Sequence, residues 1–159
     1  MNTPALISKH FREVIFGGNW TWSDLKDQLK DVTRDEAVAR IGTFNSILTL
    51  VCHCHYYVKV QTRAMQGEPL NSSDEDSFAT PEISTEAEWQ ELLATLFAES
   101  EVYAKAVEQL PESKLQETFI EEKYGNWYRN LHGLIEHTHY HLGQIALLKK
   151  MIRMEGGKR

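Results

Sequence analysis

The chain predicts an all-α fold organised around four long helices, and three observations carry that prediction. Apolar residues recur at helical spacing in four extended stretches. Every cluster of proline and glycine falls between those stretches rather than inside them. No internal repeat or low-complexity tract interrupts the pattern, and 159 residues with 42% apolar content suffice for one continuous core, a single domain over residues 1–159.

The first long helix is expected from Pro4 to Phe16: proline is tolerated in the first turn, where its missing amide has no intrahelical partner, and "GGNW" stops the helix. "WSDLKDQL" then gives a short helical stretch. The second long helix is expected from Asn45 to Met65, because the polar side chains of "TFNS" cap free amides and "QGEP" closes it. The third runs from Glu86 to Leu110; Ser84 or Thr85 caps it, acidic residues in the first turn suit the helix dipole, and Pro111 ends it. The fourth runs from Asn126 to Met154, capped by "YGN" and terminated by "EGG". Between the second and third lies the acidic "GEPLNSSDEDSFATPEIS", read as a solvated loop in preference to a lid, and its length permits a crossover connection. "PESKLQETFIEEKYGN" is expected to include a short extended piece.

Charge and cysteine usage exclude several function classes. Seventeen Lys and Arg against 23 Asp and Glu leave a net charge of -6, which argues against a broad phosphate-binding surface and so against nucleic acid as a partner. Cys52 and Cys54, two residues apart, close no useful disulfide loop, and a reducing cytoplasm is the expected location. The first residues lack a basic leader before an apolar core, and no apolar run is long enough to span a bilayer, so no membrane is expected as a partner.

Four of the seven histidines lie between His132 and His141. With about 100° of rotation per residue and His137 at zero, Trp127, Leu134, Ile145 and Ile152 fall near 60–80° and define the core stripe. His137 and His141 then lie on its flank, one turn apart, at about 0° and 40°, whereas His132 and His139 fall near 220° and 200° beside Glu136, Gly143 and Lys150. The outer pair is expected in solvent. The inner pair has the i, i+4 spacing by which helical histidines bind one metal ion, with Asn130 and Gln144 along the same edge as second-layer candidates.

Two ligands are too few, and the second helix offers a third in "VCHCHYYV". Setting His53 at zero places Leu50, Tyr57, Cys54 and Ile47 at about 20–120° and His55 near 200°, so His53 flanks its core stripe as the inner pair flanks its own. Cys54 is expected as a buried small hydrophobe; Cys52 points the other way and has no assigned role.

Together the motifs "GGNWTW", "HCHYY", "SFATPEISTEAEW" and "YGNWYRNLHGLIEHTHYHLGQI" resemble those of the DinB-like superfamily of metal-binding four-helix bundles, over nearly the full length. The resemblance implies an up-down-down-up bundle with a crossover loop between helices two and three. It implies metal ligands at His53, His137 and His141, with His55 in reserve for His53. It also implies frequent homodimers, and members that act as thiol-dependent transferases or isomerases with low-molecular-weight thiols such as bacillithiol or mycothiol.

Three neutral imidazoles leave a coordination position open, as in catalytic rather than closed structural sites. Zinc or nickel suits them, and iron also. The expected function is therefore metal-dependent thiol transfer or hydrolysis on a small molecule. Hydrolysis calls for a nearby carboxylate as general base, and none is placed there: Glu136 points about 100° away from His137. No catalytic side chain is assigned, although Tyr57 could donate a hydrogen bond to substrate. The alternative is a non-catalytic bundle stiffened by its metal, acting as a dimeric binding protein, with the acidic loop Asn71 to Glu82 as a contact surface.

Overall fold

The computed structural model describes residues 2–69 and 73–156. Among these it is helical, with no strand; one isolated antiparallel bridge joins Thr118 to Asn126, the short extended piece expected before the last helix. The helices are α1 (Thr3–Phe16), α2 (Leu25–Leu29), α3 (Arg34–Val38), α4 (Ile47–Met65), α5 (Asp74–Ser77), α6 (Glu86–Glu108) and α7 (Trp127–Gly156), with 3-10 turns at Glu112–Gln116 and Glu122–Tyr124.

Side-chain caps set the starts. Asn2 accepts from the Ala5 amide at 3.1 Å, which leaves Pro4 inside the first turn rather than at its start. Ser46 caps α4 through the Thr49 amide, and Thr85, not Ser84, caps α6 in a reciprocal box with Glu88. Asn126 lies one residue before α7 and accepts from the Arg129 amide at 2.9 Å. The sequence reading missed α3 and α5, which are too short to show apolar periodicity; the Thr33–Glu36 capping box was the available signal for α3.

The long helices pack α1 on α6 and α7, and α4 on α6 and α7. Along α1 and α6 the numbering runs in opposite directions: Ser8 Oγ donates to the Ala104 carbonyl at 2.6 Å, Arg12 meets Glu101 at 3.0 Å, and Phe16 faces Phe97. Along α4 and α6 it rises together, from His55–Glu99 to Gln61–Tyr103. Along α4 and α7 it is opposed again, since Gln61 Nε2 donates to the Asn130 carbonyl while His53 faces His141.

Inside lie Phe11, Val14, Ile15, Ile47, Val51, Leu96, Leu131 and Ile145, all essentially without solvent contact; each such side chain contributes about 1.5–3 kcal/mol by leaving water. Trp89 is completely buried, and its indole N–H donates to the Val32 carbonyl at 2.8 Å, which ties the segment between α2 and α3 to α6. That segment also grips the end of α7. Lys149 donates to the Gln28 carbonyl and pairs with Asp31, while Arg153 pairs with Asp31 and Glu36.

Two connections matter for the site. The "GGNWTW" turn is organised by the buried Asn19 side chain, which donates to the Glu13 and Ser23 carbonyls and accepts from Thr21, leaving Trp20 and Trp22 each 93% exposed. The connection from α4 to α6 departs from the expected solvated loop. Asn71 and residue 72 lie outside the described residues, but beyond them Ser77 is buried and Phe78 lies flat on the His53 ring. The cause is local: Ser73 caps α5, which turns the chain back onto α4. None of the helices among the described residues is long and apolar enough to cross a membrane.

Candidate metal centre

α4 and α7 run side by side, so a flank residue of one meets the flank residues of the other, and His53, His137 and His141 come together as the wheel geometry predicted. His137 Nε2 lies 2.9 Å from His53 Nε2 and 3.2 Å from His141 Nε2, and one ring nitrogen from each residue falls within 4.8 Å of the others. Two nitrogens bound to one ion at 2.0–2.1 Å in tetrahedral geometry stand about 3.3 Å apart. The spacing fits a shared ion.

Orientation strengthens the fit. His53 Nδ1 donates to the Ser77 carbonyl at 3.3 Å and His141 Nδ1 donates to Gln144 Oε1 at 2.7 Å. Carbonyl oxygens only accept, so both Nδ1 atoms carry the proton and both Nε2 lone pairs face the shared centre. His137 Nε2 lies within hydrogen-bonding distance of both, so an N–H there satisfies one of these lone pairs, whereas a cation at the shared centre satisfies all of them at once. His137 Nδ1 is covered and has no hydrogen-bond partner among the described residues.

Aromatic rings wall the site. Phe78 stacks on His53 with ring centres 4.0 Å apart and planes 13° from parallel, while Tyr57 meets His53 and His137 edge-on. Burial pushes the His137 imidazolium down to about 4, reinforced by the neighbouring His141 and His53. Burial lowers His141 too, against the raising effect of its bond to Gln144. Both are therefore neutral near pH 7, the form in which imidazole binds metal.

The other candidates separate cleanly. His55, the reserve ligand, is directed away from the triad, as its angle required, but it does not point outward: it is buried against α6, with Nε2 2.6 Å from Glu99 Oε2. Wheel geometry fixes a direction and not the neighbour found there. His132 and His139 are half-covered rather than solvent-exposed, because α1 packs along that side of α7; His139 faces His10, and His132 contacts Tyr128. Gln144 holds His141 as expected, whereas Asn130 does not reach the triad: its amide donates to the Tyr124 and Asn126 carbonyls. Glu136 is exposed, and no carboxylate joins the three histidines among the described residues. Cys54 is buried, which pushes its thiol up to about 12, and half-buried Cys52 is raised to about 11 for the same reason.

Sequence reasoning missed Ser77 and Phe78. The acidic stretch read as solvent-facing, and the signal for contact was the single aromatic residue within it, Phe78. On its other side the site opens into a cleft of about 390 Å³ bordered by Tyr57, Gln61, Arg129, Gly133 and His137, a size suited to a small molecule.

A family model described as the DinB superfamily matches residues 19–145, a span that begins in the "GGNWTW" turn and closes just past His141 and Gln144, so it contains all three histidines. No curated protein and no solved structure matches the chain.

Proposed function

We propose that this chain, which belongs to the DinB superfamily, is a metal-dependent enzyme acting on a small molecule, with His53, His137 and His141 as ligands of one divalent ion. The observation that carries the reading is the convergence of three imidazoles, two of them locked by carbonyl acceptors with their Nε2 lone pairs toward one point. Zinc or nickel is the expected ion, and iron also suits imidazole. Such an ion supplies Lewis acidity and an open position at which a water or a thiolate is activated.

Between thiol transfer and hydrolysis, the first is favoured. A thiol loses its proton readily beside a metal, whereas hydrolysis gains most from a carboxylate base, and none stands with the ligands among the described residues. The chain's own contribution is positional: Ser77, Gln144 and Phe78 hold the imidazoles, and Tyr57 covers the approach from the cleft. The second reading, a non-catalytic bundle stiffened by metal at the junction of α4 and α7, draws on the same missing carboxylate; the cleft opening onto His137 speaks against it.

The opposed numbering of α1 with α6 and of α4 with α7, and the shared direction of α4 and α6, support an up-down-down-up four-helix bundle in which residues 66–85 form the crossover. A single domain over residues 1–159, a homodimer, a low-molecular-weight thiol as co-substrate and a cytoplasmic location complete the proposal. Elemental analysis of the purified chain tests it: about one divalent ion per chain is expected, lost in His53→Ala and His137→Ala together with thiol consumption in the presence of an electrophile. Full turnover by metal-stripped protein would refute it.

A further inference from the structure

Within the cleft against His137, one cation stands out. Arg12, Arg34, Arg63 and Arg153 each face a carboxylate; among the described residues Arg40 and Arg129 do not, and of these two only Arg129 borders the cleft. Arg129 lines the cleft and has no ion pair among the described residues, in a chain whose acidic residues outnumber its basic ones by 23 to 17. Its side chain is nevertheless placed. It lies over Gly125, where an added Cβ would stand 3.1 Å from Arg129 Cδ and 3.4 Å from Nη1, and Gly125 has a φ of 74°, which glycine alone adopts readily. Nη1 donates to the Tyr124 carbonyl at 3.4 Å, and this leaves most of the guanidinium fork uncommitted.

Gly133 is the second observation. It lies mid-helix in α7 and lines the same cleft, and a Cβ there would meet nothing within 4 Å. Glycine weakens a helix interior relative to alanine, and here no close packing requires it; what its missing side chain does is keep the cleft floor bare. Arg129, Gly133 and His137 follow one another at four-residue steps along one edge of α7, about 12 Å from first to last. Lys123, also on the rim, is already engaged by Glu121 at 2.9 Å and by the Tyr124 ring.

We propose that this cleft seats an elongated small molecule bearing a carboxylate, its carboxylate on Arg129, its body across Gly133 and its reacting thiol beside His137. The inference rests on the reading of the three histidines as metal ligands and adds the substrate class. A guanidinium fork matches the planar carboxylate in a paired, charge-assisted contact. A phosphate dianion suits the cleft less well, because Glu136 lies along the same wall.

The test uses the full chain loaded with cobalt, whose thiolate charge-transfer absorbance reports a sulfur at the metal directly. The probes are glutathione and its diethyl ester, which share the thiol and differ in their carboxylates. Glutathione is expected to bind about 10-fold more tightly than the ester, the lower end of what a charge-assisted contact gives. Arg129→Gln is expected to remove that preference without changing cobalt affinity. Lys26→Gln, which deletes the same charge from α2 at the Lys149 end of α7, leaves the preference intact, and Gly133→Leu weakens both probes by filling the floor. Equal affinities in the unaltered chain, a preference that survives Arg129→Gln, or cobalt retained with no thiolate band from either probe overturns the inference. Failure to retain cobalt overturns instead the ligand reading on which it rests.

Discussion

Replacing Gln144 by leucine tests how the histidine cluster is held separately from the three proposed ligands themselves. Gln144 Oε1 accepts the Nδ1 proton of His141 at 2.7 Å, and that bond is what turns the His141 Nε2 lone pair toward His53 and His137. Losing such a support for a metal-bound imidazole costs about 10–100-fold in affinity, which is about 1.4–2.8 kcal/mol. The fold has little reason to object, because residue 144 also borders an apolar groove with Leu50, Leu147, Leu148 and Met151, where leucine is at home. The metal-free variant should therefore melt at the same temperature or slightly higher. Zinc titrations of stripped protein against a competing chelator should give a dissociation constant raised 10–100-fold, while Gln144→Glu, which keeps an acceptor and makes the imidazole more basic, should tighten binding. An unchanged constant in the leucine variant would refute the argument, as would a metal-free protein destabilised by a similar amount.

His55→Ala should retain one ion per chain by elemental analysis, since its ring is committed to Glu99, yet lose about 1–2 kcal/mol in urea denaturation through the vacated volume and the broken bond. Asp31 gives a pH test: hydrogen bonds from Lys149 and then Arg153 hold its carboxyl down to about 2 from an ordinary 3.8. Between those values the unfolded chain binds more protons than the folded one, so the contribution is present above pH 3.8 and disappears as the pH falls toward 2. Because Asp31 is exposed, solvent screening keeps its worth below about 1 kcal/mol. In Asp31→Asn the urea midpoint should drop at pH 6, and most of that difference from the unaltered chain should be gone by pH 2.

The triad was legible because it depends on angle alone: His53, His137 and His141 each sit beside an apolar stripe, and stripes of adjacent helices face one another. Gln144 was legible for the same reason. His55 marks the limit, since its direction was readable but the partner, Glu99 on a helix running the same way, depends on packing between segments distant in sequence. Ser77 and Phe78 were missed for a different reason. Their contact with His53 comes from a four-residue helix in an acidic stretch, where charge pointed to solvent and capping by Ser73 outweighed it. The long helices were readable within a few residues because caps and terminators bracket them, whereas α3 is too short to declare a period.

The placement of α1 bears on how the chain matures during synthesis. Its apolar face is covered by α6 and α7, whose sequences emerge long after its own; Ser8, for instance, finds Ala104. A ribosome adding about 5–20 residues per second leaves that face for several seconds with only the short α2 to pack on it, before α6 and α7 exist. Although α1 is made before α6 and α7, most of its packing waits for them, and nascent-chain binding factors would meet that face largely uncovered.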